Sequence, residues 1–270
     1  MRTLLILAFA AVCAHAAPQR VIGLGGDVTE IAFALGKGDA MAAVDLTSTY
    51  PDAAQRLPRV GYVRALSAEG ILALRPDLVI ASGDAGPPEA LAQIRATGVP
   101  LVMLEKDHSL DGIPVKIRAV ARALEADAEG AKLVASFEAE RARLATEGGE
   151  PISAVFVMGR ADGALVGAGR GTAADAMLAA AGLRNVLGGF EGYKPVSGEA
   201  LLALAPKVIV TGTRTVQASG GLSRFVESPT LSATPAVKSG HVLVFDDMYL
   251  LGLGPRAAQA ARELASAARK

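Results

Sequence analysis

Short apolar runs alternate with stretches of helical spacing along most of this chain. Residues 20–24 form a β-branched run that reads as a strand and turns through Gly25-Gly26. Asp27 is a candidate N-cap, and residues 28–35 carry helical spacing that stops at Gly36. Residues 42–46 read as the next strand, followed by the polar loop TSTYP from Thr47. A second loop over residues 57–65 holds Pro58, Gly61, Tyr62 and Arg64. A helix is expected over residues 67–74, ended by Pro76, then a buried strand over 78–81. After Gly86-Pro87-Pro88 a helix runs to Thr97, Gly98 breaks it, and residues 99–104 form a strand. The strand runs do not alternate apolar with polar residues, which is the sequence form of a parallel sheet covered on both faces.

The middle of the chain changes period. Residues 111–146 give no strand signal, while Ile113, Ile117, Val120 and Leu124, then Leu133, Phe137, Arg141 and Leu144, fall at helical spacing. A helix over residues 129–147 would span roughly 28 Å, long enough to bridge two lobes. Beyond it the first plan returns: a strand at 153–158, a helix from Thr172 or Ala173 to Ala181, and a loop with Tyr193. A strand at 208–211, a Gly/Ser-rich loop with Arg214, a strand at 241–245 and a helix from about Pro255 complete it. The two halves share a repeat. LSAEGILALRPDLVI over residues 66–80 recurs 130 positions later as VSGEALLALAPKVIV over residues 196–210. The expected fold is α/β: two lobes with central, mostly parallel sheets, joined by a long α-helix, with a ligand cleft between them. The division is a signal peptide over 1–16, an N-terminal lobe over 17–128, the interlobe helix over 129–149 and a C-terminal lobe over 150–270.

Composition narrows the function. The 270 residues are 51% hydrophobic and 20% charged, a globular balance. Lys+Arg 27 against Asp+Glu 27 gives no basic excess, so charge gives no support to a nucleic-acid partner. The N-terminus has Arg2, an apolar stretch from Leu4 to Val12, and Ala14-His15-Ala16 as a small-x-small cleavage site, so it reads as an export signal. Cleavage after Ala16 would remove Cys13, and Val12 before that cysteine argues against lipidation. A mature chain without a thiol has no disulfide, cysteine metal site or cysteine nucleophile.

Catalytic patterns are missing too. The sequence contains no HExxH and no GxSxG, and His108 and His241 read as structural. Asp246-Asp247 reads as a turn device rather than an acid/base pair. Gly23 and Gly25 fit the start of GxGxxG, but Val28 stands at its third glycine and no P-loop follows.

Six stretches carry a family resemblance: GGDVTEIAFALG from Gly25, TSTYP from Thr47, LPRVGYVRALSAEG from Leu57, AGRGTAADAML from Ala168, GYKPVSGEALLAL from Gly192 and DDMYLLGLGPRAAQA from Asp246. In these the chain resembles the periplasmic substrate-binding proteins of ABC importers with a single long interlobe helix, and more narrowly the haemin-binding members. The resemblance implies capture of haem in the cleft, with Tyr62 as the iron ligand, and delivery to an inner-membrane permease. A phenolate suits ferric iron, and iron must displace a phenol proton whose pKa is ordinarily about 10. Arg64, two residues on, would favour the phenolate or pair with a propionate. Arg214 resembles the arginine that faces haem from the second lobe. Some family members add a histidine there, whereas this chain has Arg160. Tyr50 and Tyr193 are weaker ligand candidates, and Tyr249 is placed along the cleft. Ser67 and Ser197 are natural N-caps, but S-x-E is one short of a capping box, so capping explains the serines better than the glutamates. Glu69 and Glu199 match the pair that docks on the permease, where rim charges orient more than they bind. The alternatives are a cobalamin or ferric-siderophore carrier of the same class, or a periplasmic enzyme on a similar scaffold.

Overall fold

The computed structural model describes residues 17–146, 149–159 and 164–270. The expected leader over residues 1–16 and the Arg160 loop lie outside the described residues. Four parallel strands make the first sheet, in the order Met41–Val44, Val21–Leu24, Leu78–Ala81, Leu101–Met103. Every residue of the two central strands is buried, which is why they read as unbroken apolar runs. The edge strand stops at Val44 rather than at Leu46, because Asp45 turns the chain. Its buried carboxylate accepts from the N–H groups of Gly25 (3.1 Å) and Thr47 (2.8 Å) and from the Thr47 and Ser48 hydroxyls (both 2.7 Å). One carboxylate thereby satisfies the turns leaving two neighbouring strands.

Two local expectations are corrected here. Helix Gly26–Ala34 is capped by Gly25, not by Asp27. Gly25 has φ 133°, and a Cβ there would meet the Ser82 Cβ at 2.5 Å, so the glycine serves a close approach between two strand ends. Asp27 lies within the first turn and is buried, with Lys116 Nζ at 3.2 Å from its carboxylate. Second, the segment expected as a loop over 57–65 ends in a hairpin. Gly61–Tyr62 pairs antiparallel with Ala65–Leu66 around a turn at Val63-Arg64. Bonds from Leu66 N to Gly86 O (2.9 Å) and from Gly86 N to Val63 O (2.8 Å) tie that hairpin to the chain beyond Leu78–Ala81.

The second sheet is mixed. Its path runs Tyr193–Pro195, Leu165–Ala168, Ile152–Gly159, Val208–Gly212, Val242–Phe245, with Leu183–Asn185 also on Ile152–Gly159. Pairings along Leu183–Asn185, Ile152–Gly159, Val208–Gly212 and Val242–Phe245 are parallel, whereas Leu165–Ala168 is antiparallel to both of its neighbours. Between the sheets lie Gly112–Ala123 and the helix Asp127–Thr146, whose 20 residues span about 30 Å. One apolar core joins everything. It runs from Val21 and Ile80 through Ile113, Ile117 and Phe137 to Met177 and Leu264, then to Phe156 and Val210. Smaller clusters around Ile71 and Leu201 fill the outer face of each sheet.

The repeat is structural down to single torsions. In each copy a serine caps a short helix: Ser67 Oγ accepts from Gly70 N at 3.4 Å, and Ser197 Oγ from Ala200 N at 3.2 Å. Each helix then ends in a left-handed residue before a proline, Arg75 with φ 48° and Ala205 with φ 45°. The proline ring disfavours a right-handed helical residue before it, so the chain leaves the helix the other way.

Candidate functional site: an interlobe cleft

The carboxyl ends of the parallel strands open on a cleft of ≈ 410 Å³ between the lobes, within the size range of small-molecule sites. Tyr62, Arg64, Asp84 and His108 line it from the first lobe, and Tyr193, Arg214, Asp247 and Met248 from the second. Met158, Leu251 and Leu253 add apolar wall, and the buried Asp27–Lys116 pair lies at its floor. Four sequence candidates, Tyr62, Arg64, Tyr193 and Arg214, therefore share one cavity.

Tyr62 ends the first hairpin strand, 42% exposed, and lines the cleft. Arg64 Nη1 donates to that hydroxyl at 3.2 Å. The other side of the guanidinium, Nη2, lies 3.5 Å from Asp84 Oδ2. Asp84 is a hub: Lys106 Nζ reaches Oδ1 at 3.1 Å, and His108 Nε2 lies 3.1 Å from Oδ2. Burial alone would raise the Asp84 carboxyl. Hydrogen bonds from His108 and Lys106 and the charge of Arg64 outweigh it and hold the group below the ordinary carboxylate value. His108 Nδ1 lies 2.9 Å from the carbonyl of Gly171 in the second lobe. Both ring nitrogens thus face oxygen atoms, one from each lobe.

Tyr193 stands on the opposite wall. Burial pushes its phenol up, more than Thr172, the Ala174 N–H and the Arg64 charge offset. That environment keeps it a neutral phenol. Arg214 is not in a loop but in the first turn of helix Thr213–Ala218. Asp247 Oδ2 accepts from Arg214 N at 3.0 Å and lies 3.5 Å from Nε, which leaves the guanidinium side chain 68% exposed on the cleft. Asp246 caps the next helix by accepting from Tyr249 N at 2.8 Å, so this acidic pair orders turns.

Tyr249 does not line the cleft. Arg256 lies 4.9 Å from its ring centroid and 3.4 Å from that of Tyr50, and Arg256 Nη2 pairs with Glu30 Oε2 at 2.9 Å. Burial and the neighbouring Glu263 push the Tyr249 phenol upward. Both tyrosine rings thus pack on the guanidinium of an interlobe ion pair. Glu69 and Glu199 are outside the cleft, exposed in the first turns of helices Ala68–Leu72 and Gly198–Leu204.

Sequence reasoning missed Asp84, His108 and Met248 on the cleft wall and Lys106 on the Asp84 carboxylate. Asp84, Lys106 and His108 had a usable signal: each follows the end of a parallel strand, where α/β ligand sites gather. Met248 had none, because its approach to Gly26 joins segments more than 200 residues apart.

Residues 21–249 match the Periplasmic binding protein family. The fold superposes on the periplasmic heme-binding protein RhuT of Roseiflexus sp. RS-1 in apo form with a TM-score of 0.88 and 43% identity, over 93% of this chain and 97% of that one. Periplasmic heme-binding protein BhuT, in complex with two hemes, gives 0.86 and 42% over 92% and 97%. A vitamin B12-binding protein of Pectobacterium carotovorum is 36% identical over 131 residues, 48% of this chain and 47% of that protein. The chain thus spans about half the length of the curated relatives it matches. All of these are named as binding proteins.

Proposed function

We propose that this chain, which belongs to the Periplasmic binding protein family, captures haem in the interlobe cleft and delivers it to an ABC importer of the inner membrane. It works in the periplasm, with a mature chain starting at Ala17. The observation that carries the reading is the Arg64 Nη1 contact with the Tyr62 hydroxyl at 3.2 Å on the cleft wall. The guanidinium holds the Tyr62 oxygen in place on the cleft wall, and a phenolate is the form that binds ferric iron. Tyr62 takes the iron, Met158, Met248 and Leu253 take the porphyrin faces, and the exposed guanidinium of Arg214 takes a propionate. Arg–carboxylate pairing suits that last contact.

The test is a haemin titration of wild type and Tyr62→Phe, followed by visible and resonance Raman spectra. A ferric tyrosinate signature in wild type that disappears in the variant is expected. The same signature in both would remove Tyr62 as the ligand.

A cobalamin carrier is the second reading, favoured by the vitamin B12-binding relative. It predicts that cyanocobalamin displaces haemin and binds Tyr62→Phe as well as wild type. Equilibrium dialysis with both ligands separates the two.

A further inference from the structure

We propose that Asp84 is a positioning residue for this site, acting on Tyr62 through Arg64. The inference rests on Tyr62 being the iron ligand and goes beyond it, because the Asp84 carboxylate contacts Arg64, Lys106 and His108. Tyr62 and Arg64 sit on a two-residue hairpin, and the Arg64 side chain is 57% exposed. A long exposed arginine carries much rotamer entropy and leaves a single 3.2 Å bond readily unless its other side is fixed.

Asp84 supplies the fixed point. Its backbone is clamped on both sides: Ala85 N donates to Ser82 O at 2.9 Å, and Gly86 N donates to Val63 O at 2.8 Å, inside the Tyr62 turn. Gly83 packs so closely that a Cβ there would meet Lys106 Cα at 2.5 Å. The carboxylate divides its oxygens, Oδ1 to Lys106 and Oδ2 to Arg64 and His108. His108, through Gly171 O, registers the hub against the opposite wall. Tyr193 also feels both Arg64 and Asp84. The carboxylate thus sets where the Arg64 guanidinium points, and the guanidinium sets where the Tyr62 hydroxyl is held for the ligand.

A merely structural Asp84 would neutralise Lys106 and stabilise its turn, and its loss would lower Tm without altering how bound haemin looks. The experiment loads Asp84→Asn, Asp84→Ala and Asp84→Glu with haemin at one pH, and reads Tm, affinity and the resonance Raman spectrum. The expected result is a fading tyrosinate signature and an affinity drop of about tenfold in the Asn and Ala variants, the scale of one charge-assisted hydrogen bond. Asp84→Glu, which keeps the carboxylate, retains the signature. Should Ala fail to fold, the isosteric Asn carries the test. Wild-type signature and affinity in the Asn variant overturn the proposal. Tyr62→Phe is the control: a signature lost there but kept in Asp84→Asn refutes the positioning role alone, and one kept in both refutes the Tyr62 reading beneath it.

Discussion

At the scale of single residues, neighbours rather than residue type separate the four tyrosines. Tyr62 meets a guanidinium and open cleft, burial pushes the Tyr193 phenol up, and Tyr50 and Tyr249 hold Arg256. The carboxyl of Asp84 has a consequence for stability. Its pKa is lowered in the folded state, so the unfolded chain binds its proton more readily and acid favours unfolding. The stabilisation is present above the ordinary carboxyl value near 3.9 and disappears as pH falls through the lower folded value. Thermal unfolding of wild type and Asp84→Asn from pH 6 to pH 3 should therefore show the two Tm curves converging towards acid. Parallel curves would mean that the contacts around Asp84 contribute nothing. Because a quarter of this side chain reaches solvent, the effect is expected to be modest.

At the scale of elements, the repeat shows what local sequence can specify. Serine caps, the helices behind them and the proline stops were all legible, because each depends on residues within one turn. The left-handed residue before each proline was not, since neither Arg75 nor Ala205 is a glycine or asparagine. A non-glycine there costs about 1–2 kcal/mol of steric strain. Ala205→Gly removes that strain against about 0.5–1 kcal/mol of added unfolded-chain entropy. The variant should gain up to about 1 kcal/mol in urea unfolding, and a loss would show that the surroundings already relieve the strain. The strands Leu165–Ala168, Leu183–Asn185 and Tyr193–Pro195 escaped the sequence reading for a related reason. They are short, and their partners, such as Ala168 for Tyr193, lie far along the chain.

At the scale of the whole molecule, the lobes are joined by more than a connecting helix. A shared apolar core, the Glu30–Arg256 pair and the His108–Gly171 bond all cross between them. In the proposed transport role, this coupling holds Glu69 and Glu199 at a set separation for docking. Charge reversal at either, Glu69→Lys or Glu199→Lys, should cut haem uptake in permease proteoliposomes several-fold while haemin affinity stays within about twofold. Uptake at wild-type rate in both would retire the docking role. The sequence by itself determined the alternation of strands and helices, the duplicated plan and the long helix, because period, caps and turns are short-range signals; Tyr62, Arg64 and Arg214 became candidates only through the family resemblance. Only the tertiary structure decided which charges meet. Asp84, His108 and Gly171 come together because strand ends from two lobes converge on one cleft, and sequence spacing carries no record of that convergence.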